Sequence, residues 1–153
     1  MQMRLPSERI YRGKVIGTNL WICGHLHVID TPGGGYTGYG IQEQWGRQRP
    51  YSRQVDEDTI GQCTGMTDKK GRTIFEGDIV ECWSEGRQAR GVVRQRIDGL
   101  WIMYPSWQEE TMWGLKPDSV GRTNVEIVGN IYDDIELLED KKDERKRESG
   151  NEV

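Results

Sequence analysis

Apolar and polar residues alternate along several short segments of this chain, a period of two that is typical of β-strands with one buried face. Two such segments, residues 11–15 and 20–29, flank turn-forming residues at positions 17–19, and this pattern predicts a hairpin. In the second segment, apolar residues of one parity share a face that we expect to be buried, namely Leu20, Ile22, Leu26 and Val28.

The back half of the chain repeats this pattern with short connections. Turn-forming residues at 84–87 and 98–99 predict a meander, because the segments that they join have the length of strands. Short strands of this kind can close into a small barrel. A brief helical stretch is expected at residues 134–140. The predicted strands are residues 59–63, 78–83, 89–97, 100–104 and 124–132.

Three segments lack a strand pattern and set the domain boundaries. Residues 1–8 are expected to form a loose leader, and the glycine-rich residues 31–40 a mobile loop. Residues 141–153 are dominated by charge and have too few apolar side chains to offset the entropy of ordering them, so we expect a flexible tail. One domain over residues 9–140 remains, divided into an N-terminal β subdomain (9–64) and a C-terminal barrel (65–140).

The composition agrees with a single, mainly β domain. A chain of 153 residues fits one domain of ordinary size. Only 34% of the residues are hydrophobic, but six Trp and six Tyr supply bulky apolar surface for a small core. Twenty glycines, spread along the chain, favour short strands joined by turns over a helical bundle.

Cysteine usage and hydropathy bear on the cellular compartment. The three cysteines, Cys23, Cys63 and Cys82, are an odd number without a close-spaced pair, which favours reduced thiols over a disulfide framework. No stretch reaches the roughly 18 to 20 apolar residues of a membrane span, and the first residues lack an apolar signal core. We therefore expect a cytoplasmic protein that does not associate with membranes.

Charge is distributed unevenly along the chain. The net charge is -4, but residues 1–55 carry seven Lys or Arg against three Asp or Glu, whereas residues 56–140 carry nine against eighteen. A basic front and an acidic back favour head-to-tail self-association, or an acidic ligand on the front alone. The same distribution argues against nucleic acid wrapped over the whole surface.

The most informative run is residues 62–80, where glycines interrupt short apolar segments. Asp68 to Gly71 has the composition of a polar turn with glycine at a position of positive φ. At residues 75–78, carboxylates beside a glycine can accept backbone N–H groups and fix the start of a strand. The residues to which we assign a structural turn role are Gly65, Gly71, Glu76, Gly77, Asp78 and Gly129.

Together with Val125–Tyr132 and Ile135–Leu138, the run at 62–80 resembles the YopX family, small proteins carried by phages and prophages. The opening Tyr11-Arg12-Gly13-Lys14, followed by Trp21, is similar to the first strand pair of that family. The resemblance covers residues 9–139 and implies a β-rich fold whose C-terminal part is an SH3-like barrel. It also implies a bacterial host cell, and it carries over no catalytic residues and no cofactor.

Candidate catalytic and metal sites are weak in this sequence. Cys23, His25 and His27 alternate along one strand and could share a face, but structural zinc sites usually bring ligands in close-spaced pairs from two segments. We therefore interpret His25 and His27 as partly exposed imidazoles on a polar strand face. No pattern places a nucleophile beside a base and an orienting carboxylate, so we expect a protein that is not an enzyme.

Binding is therefore the expected activity, and two kinds of partner stay open. The first is a phage or host protein, or a second copy of the chain, bound by exposed aromatic residues. The alternative is single-stranded DNA or RNA, which favours a mixture of cations and stacking surfaces. The candidate binding residues are Tyr36, Tyr39, Trp45, Arg47, Arg49, Tyr51, Arg53, Trp107 and Trp113.

Overall fold

A computed structural model describes residues 9–30, 33, 38–43, 52–84, 87–105 and 113–138. The chain divides into two compact units, Met1–Cys63 and Thr64–Val153. The described residues are mainly β, as predicted, with single helical turns at Glu57–Thr59 and residues 136–138. The strands are β1 (Tyr11–Lys14), β2 (Trp21–Ile29), β3 (Gly38–Glu43), β4 (Ser52–Val55), β5 (Gly61–Thr67), β6 (Thr73–Phe75), β7 (Asp78–Ser84), β8 (Arg87–Gln95), β9 (Trp101–Pro105), β10 (Trp113–Gly114) and β11 (Glu126–Asn130).

The first unit is a curled antiparallel sheet in the order β4-β3-β2-β1, and the first two residues of β5 pair with the free side of β1. The far end of β1 also meets β4 through an isolated bridge between Val15 and Val55. Lys14 O accepts a hydrogen bond from Asp56 N at 2.8 Å near this bridge. The strands therefore bend around a small core of Ile22, Ile41 and Val55.

The predicted hairpin of β1 and β2 is present, but its apolar face is only partly buried. Ile22 is 2% exposed, whereas Leu20 and Val28 are 49% and 60% exposed. The prediction that all four residues are buried is wrong, because the ends of this long segment extend past the small core. Alternation predicts which side of a strand a residue is on, but not how far along the strand the core reaches.

The predicted mobile loop at residues 31–40 is wrong for its last three positions, which open β3. Glycine at position 40 allows close packing here, since a Cβ would lie 2.5 Å from Ser52 Oγ and 2.8 Å from His27 Nε2. Glycine in a strand often marks such a close approach. Except for Gly33, the earlier part of the predicted loop lies outside the described residues, as do the predicted leader (1–8) and tail (141–153).

The second unit contains a five-stranded antiparallel sheet in the order β10-β9-β8-β7-β11. One face covers a core whose most buried members include Ile74, Val80, Ala89 and Val93, all 0% exposed. The predicted SH3-like barrel is not confirmed, because the described strands form an open sheet in which β10 and β11 are edge strands. Closure requires a ladder between the two edges, and β10 is only two residues long.

One strand boundary differs from the sequence prediction for an identifiable reason, and one predicted turn is present. The strand predicted at 59–63 begins two residues later, because Asp56 accepts a hydrogen bond from Asp58 N and caps the 3-10 turn Glu57–Thr59. The hairpin at 98–99 is present, with Gly99 at φ 89°. Within the described residues, no helix is long and apolar enough to cross a bilayer.

Candidate binding surfaces

Three of the nine predicted binding residues are described, two of them in the first unit and one in the second. Tyr39 packs against the core of the first unit, and Arg53 is exposed on the neighbouring strand. Trp113 belongs to the second unit, where it packs against the core. Tyr39 and Trp113 therefore contribute to packing. The remaining predicted residues lie outside the described part of the chain, namely Tyr36, Trp45, Arg47, Arg49, Tyr51 and Trp107.

The first unit instead presents a cationic cluster that the sequence analysis missed. The guanidinium of Arg12 lies 4.9 Å from the centre of the Trp21 ring, and Lys14 Nζ lies 5.4 Å from it. The two cations occupy alternate positions of β1, and Lys14 lies opposite Trp21 in the pairing of β1 with β2. Such cation–π contacts contribute roughly 0.5–1 kcal/mol each at exposed sites. The cross-strand register, which brings these residues together, could have revealed the cluster.

The weak metal candidates Cys23, His25 and His27 lie at alternate positions of β2, on the side of the sheet that carries Trp21. His27 Nε2 is 2.6 Å from Ser52 Oγ, which gives this imidazole a protein partner. Neighbouring atoms desolvate the exposed Cys23 thiol and raise its pKa, although Arg12 acts in the opposite direction. No group of three His, Cys, Asp or Glu that could hold a metal ion occurs among the described residues.

The second unit exposes two aromatic residues on the sheet face opposite its core. We call this surface the outer face; it comprises alternate residues of β7, β8 and β9. Trp83 is 64% exposed and Tyr104 is 43% exposed there, although Val92 and Ile102 on the same face are buried. Trp83 shares its strand face with Glu81, on the side of β7 opposite the core residues Val80 and Cys82, and this alternation could have been read from the sequence.

A partly buried ion pair lies between the outer-face strands. Arg90 binds Glu81 through two guanidinium nitrogens, with Nε 2.6 Å from the carboxylate oxygen, and both side chains are about 15% exposed. A third guanidinium nitrogen of Arg90 donates to Leu137 O at 2.8 Å. This contact attaches the C-terminal helical turn to the sheet. Because its donors are engaged within the unit, Arg90 has a structural role at this face.

Asp68 holds a tight loop against the edge of β11. Its side chain is 0% exposed. One carboxylate oxygen accepts hydrogen bonds from Lys70 N and Arg72 N at 3.0 and 2.8 Å. The other accepts from Ile127 N at 3.1 Å and from Arg72 Nε at 3.0 Å. Burial alone would raise the pKa of Asp68, but these backbone and guanidinium contacts outweigh it and lower the pKa.

The loop at 68–72 has a counterpart at 118–122, and both continue into a threonine in the repeated pattern Asp-x-x-Gly-Arg-Thr. In each loop the first carboxylate accepts backbone N–H groups from the third and fifth residues. Gly71 and Gly121 adopt φ values of 83° and 86° at the fourth position. The repeat is visible in the sequence, and it could have indicated two loops of the same conformation.

These two loops join through a short parallel ladder. Thr67 N donates to Gly121 O at 2.9 Å, and Thr123 N donates to Thr67 O at 2.8 Å. Further on, Lys69 N donates to Val125 O and the Arg72 guanidinium donates to Ile127 O. Backbone groups on the outer edge of β11 are therefore occupied by the first loop. Occupied edges prevent the addition of another strand.

The other assigned turn residues lie at the start of β7 and at an irregularity in β11. Gly77 has a φ of 91°, and its neighbour Glu76 is partly buried in the same turn. At Gly129 the register with β7 shifts, and a Cβ there would lie 2.6 Å from Asp134 Oδ2. Gly65 adopts a φ of 78° within β5. Each glycine occupies a place where a side chain would strain the backbone or collide with a neighbour.

Replacing Asp78 with alanine is expected to destabilise the protein by about 1–3 kcal/mol, because a buried backbone donor loses its acceptor. Asp78 is 2% exposed, and its carboxylate accepts a hydrogen bond from Phe75 N at 2.8 Å. Urea unfolding monitored by tryptophan fluorescence measures the change. Asp98→Ala is the control, since Asp98 accepts from Leu100 N in an exposed turn. Equal stability of Asp78→Ala and the wild type would contradict this role.

The fold and these surfaces define a small, mainly β protein built on antiparallel sheets. The family model of the YopX protein matches residues 36–139. This match covers more than half of the chain, so the chain belongs to the YopX family. No curated protein matches it.

Proposed function

We propose that this chain is a phage or prophage accessory protein that acts in the bacterial cytoplasm as a protein-binding or self-assembling module, without catalytic activity. The observation that supports this most directly is the exposure of Trp83 and Tyr104 on the outer face. Tryptophan and tyrosine are enriched among the residues that dominate binding energy at protein interfaces. A phage or host protein with a complementary apolar patch is the partner that we propose.

The surroundings of these two aromatic residues fit a face-to-face interface. Buried Val92 and Ile102 lie on the same strand face, and Val92 is opposite Tyr104, so the sheet beside the tyrosine ring is apolar. Trp83 lies opposite Gln88 at the end of the β7–β8 pair and has polar neighbours. Arg94 is exposed on β8 beside Val92 and Ile102 and adds a side chain that is common at interfaces. Because the outer edge of β11 is occupied by the loop at 68–72, a partner is expected to dock on the face rather than add a strand there.

Nucleic acid is the second candidate, favoured by the Arg12, Lys14 and Trp21 cluster. Cations beside an aromatic ring on a sheet surface are a common arrangement for binding single strands. However, three exposed carboxylates lie close to Lys14 along the chain that pairs with it, because Asp56 N donates to Lys14 O. They belong to Asp56, Glu57 and Asp58. These carboxylates would repel a phosphate backbone and weaken the binding. Protein binding is therefore the function that we place first.

The test compares the wild type with Trp83→Ser as bait in nuclease-treated lysates of phage-infected bacteria. We expect a defined protein to be retained by the wild type and lost with Trp83→Ser, because the anchor of the interface is removed. Truncation of such anchors typically weakens binding by about 2 kcal/mol or more, at least roughly 30-fold. The captured protein, once purified, should show this loss in a calorimetric titration.

Ile97→Ser is the matched control, since Ile97 is fully exposed in the turn after β8, away from the outer face. It should retain the partner. For self-assembly, sedimentation velocity of the purified chain should show a dimer that persists at 1 M salt and is lost with Trp83→Ser. Two results together would favour the nucleic-acid alternative over this proposal. The captured protein would be retained only from lysate without nuclease treatment, and a labelled oligonucleotide would bind in a salt-sensitive way that requires Lys14.

A further inference from the structure

The open side of the second unit contains a pocket of about 320 Å³. Its buried lining comes from Cys82 of β7, Leu115 after β10 and Val125 before β11, none of them more than 6% exposed. Partly buried Trp113 also contributes to it. The pocket thus lies between the segments that carry the two edge strands. Ligand sites are concave, with apolar walls and a few polar groups that fix the orientation of the ligand.

Two polar side chains line the exposed part of this pocket. Lys116 and Asn124 line it and are both exposed. Among the described residues, Lys116 forms no ion pair. The nearby carboxylate of Asp118 accepts hydrogen bonds from Val120 N and Arg122 N, so it is engaged in its own loop. An ammonium group and an amide beside three buried apolar side chains form a combination that suits one negative charge on an apolar body.

The thiol of Cys82 adds to the apolar character of the interior. Burial raises its pKa, so this thiol stays protonated and uncharged at neutral pH. In this state a cysteine packs like a small hydrophobic side chain. The interior therefore offers apolar contact without a charge, and Lys116 supplies the positive charge at the entrance.

We propose that this pocket binds small apolar carboxylates, with the ring or alkyl group against Leu115 and Val125 and the carboxylate at Lys116. The volume is at the small end of the range for ligand sites, roughly 300–1,000 Å³, which suits a single aromatic ring with a short side chain. The occupant that we assign is a free small acid. This site is separate from the outer face, and its existence does not depend on the proposed protein partner.

The test titrates isotope-labelled protein with 3-phenylpropionate and, separately, with its uncharged amide, followed by NMR. Saturable shifts are expected at the backbone amides of Leu115, Lys116 and Val125 and at the Trp113 indole. The dissociation constant should be on the order of 1 mM for a ligand of this size. The amide should bind about tenfold more weakly, because it lacks the charge-assisted contact.

Lys116→Gln should weaken binding of the carboxylate about tenfold and leave binding of the amide unchanged, since only the charged contact is removed. Arg9→Gln is the control, because Arg9 is an exposed cation that does not line the pocket. Shifts that are absent, or equal affinity for acid and amide, would overturn the proposal. Tighter binding of the capped peptide acetyl-Asp-Phe-amide than of the free acid would also overturn it, and would assign the pocket to a protein partner.

Discussion

Asp68→Ala is expected to destabilise the protein by about 3 kcal/mol, the upper end of the loss when donors are left without a buried charged acceptor. The substitution removes every acceptor that the carboxylate provides to Lys70, Arg72 and Ile127. The N–H group of Ile127 would then lose its acceptor on the edge of β11. Arg72 would lose the partner that positions it over Ile127 O. Urea unfolding at pH 7 measures this loss.

Asp118→Ala is the matched control for this experiment, because Asp118 occupies the same position in the second Asp-x-x-Gly-Arg-Thr loop. Its carboxylate accepts backbone N–H groups from Val120 and Arg122, which lower its pKa, but it is exposed. Water can replace an exposed acceptor, so we expect Asp118→Ala to lower the free energy of unfolding much less than Asp68→Ala does. Equal losses for the two variants would contradict the special role of burial and of the contact between Asp68 and β11.

The contribution of Asp68 should also depend on pH in a defined direction. Folding lowers the pKa of this carboxyl below its value in the unfolded chain, about 3.9. Its stabilisation is therefore fully present above that value and is lost as the pH falls through the lower pKa of the folded state. The difference in stability between the wild type and Asp68→Ala should accordingly narrow below about pH 4. A difference that stays constant from pH 7 to pH 3 would contradict this assignment.

Strand positions could be predicted from the sequence where apolar alternation and turn residues agree. The β7–β8–β9 meander is an example, since its turns contain residues that favour such conformations, including Gly99 at positive φ. Prediction failed where tertiary packing overrides composition. Gly38 and Gly40 look like loop residues in isolation, yet both lie in β3, and at position 40 the side chains of Ser52 and His27 occupy the space that glycine leaves.

Barrel closure could not be predicted from the sequence, because closure depends on the length of the edge strands and on which of their backbone groups are engaged. Five strands of suitable spacing are present in the second unit. However, among the described residues β10 spans only two positions, both paired with β9, and the outer edge of β11 is engaged by Asp68 and Arg72. Neither property follows from alternation. The resulting opening lies beside Leu115 and Val125, where we propose a ligand pocket.

The candidate surfaces were only partly accessible to sequence reasoning, because solvent exposure depends on strand register. Trp113 was expected at a surface, but it packs against the core, whereas Trp83 is exposed. Likewise, Arg12 and Lys14 meet Trp21 across two strands whose pairing is set by the hairpin. Aromatic and cationic residues can be counted in a sequence, but their grouping follows from the sheet.

Gly91→Ala is expected to destabilise the protein by about 3 kcal/mol or more, at the upper end of the range for overpacked cores. Gly91 is buried on the core side of β8, next to β9. A Cβ at this position would overlap the carbonyl group of Tyr104, with its carbon atom 2.6 Å away, and would lie 2.8 Å from Met103 Cγ. The methionine side chain can move, but the carbonyl belongs to the backbone of β9.

Relief of this overlap requires β8 and β9 to separate, which would weaken the ladder that holds the centre of the sheet. Gly114→Ala is the matched control in the same sheet, because the nearest atom to its Cβ would be Leu100 Cδ2 at 4.0 Å. We expect the control to change stability by no more than about 0.5 kcal/mol. Thermal unfolding of both variants measures the contrast. If Gly91→Ala and Gly114→Ala have the same melting temperature, β8 and β9 cannot approach each other as closely as described.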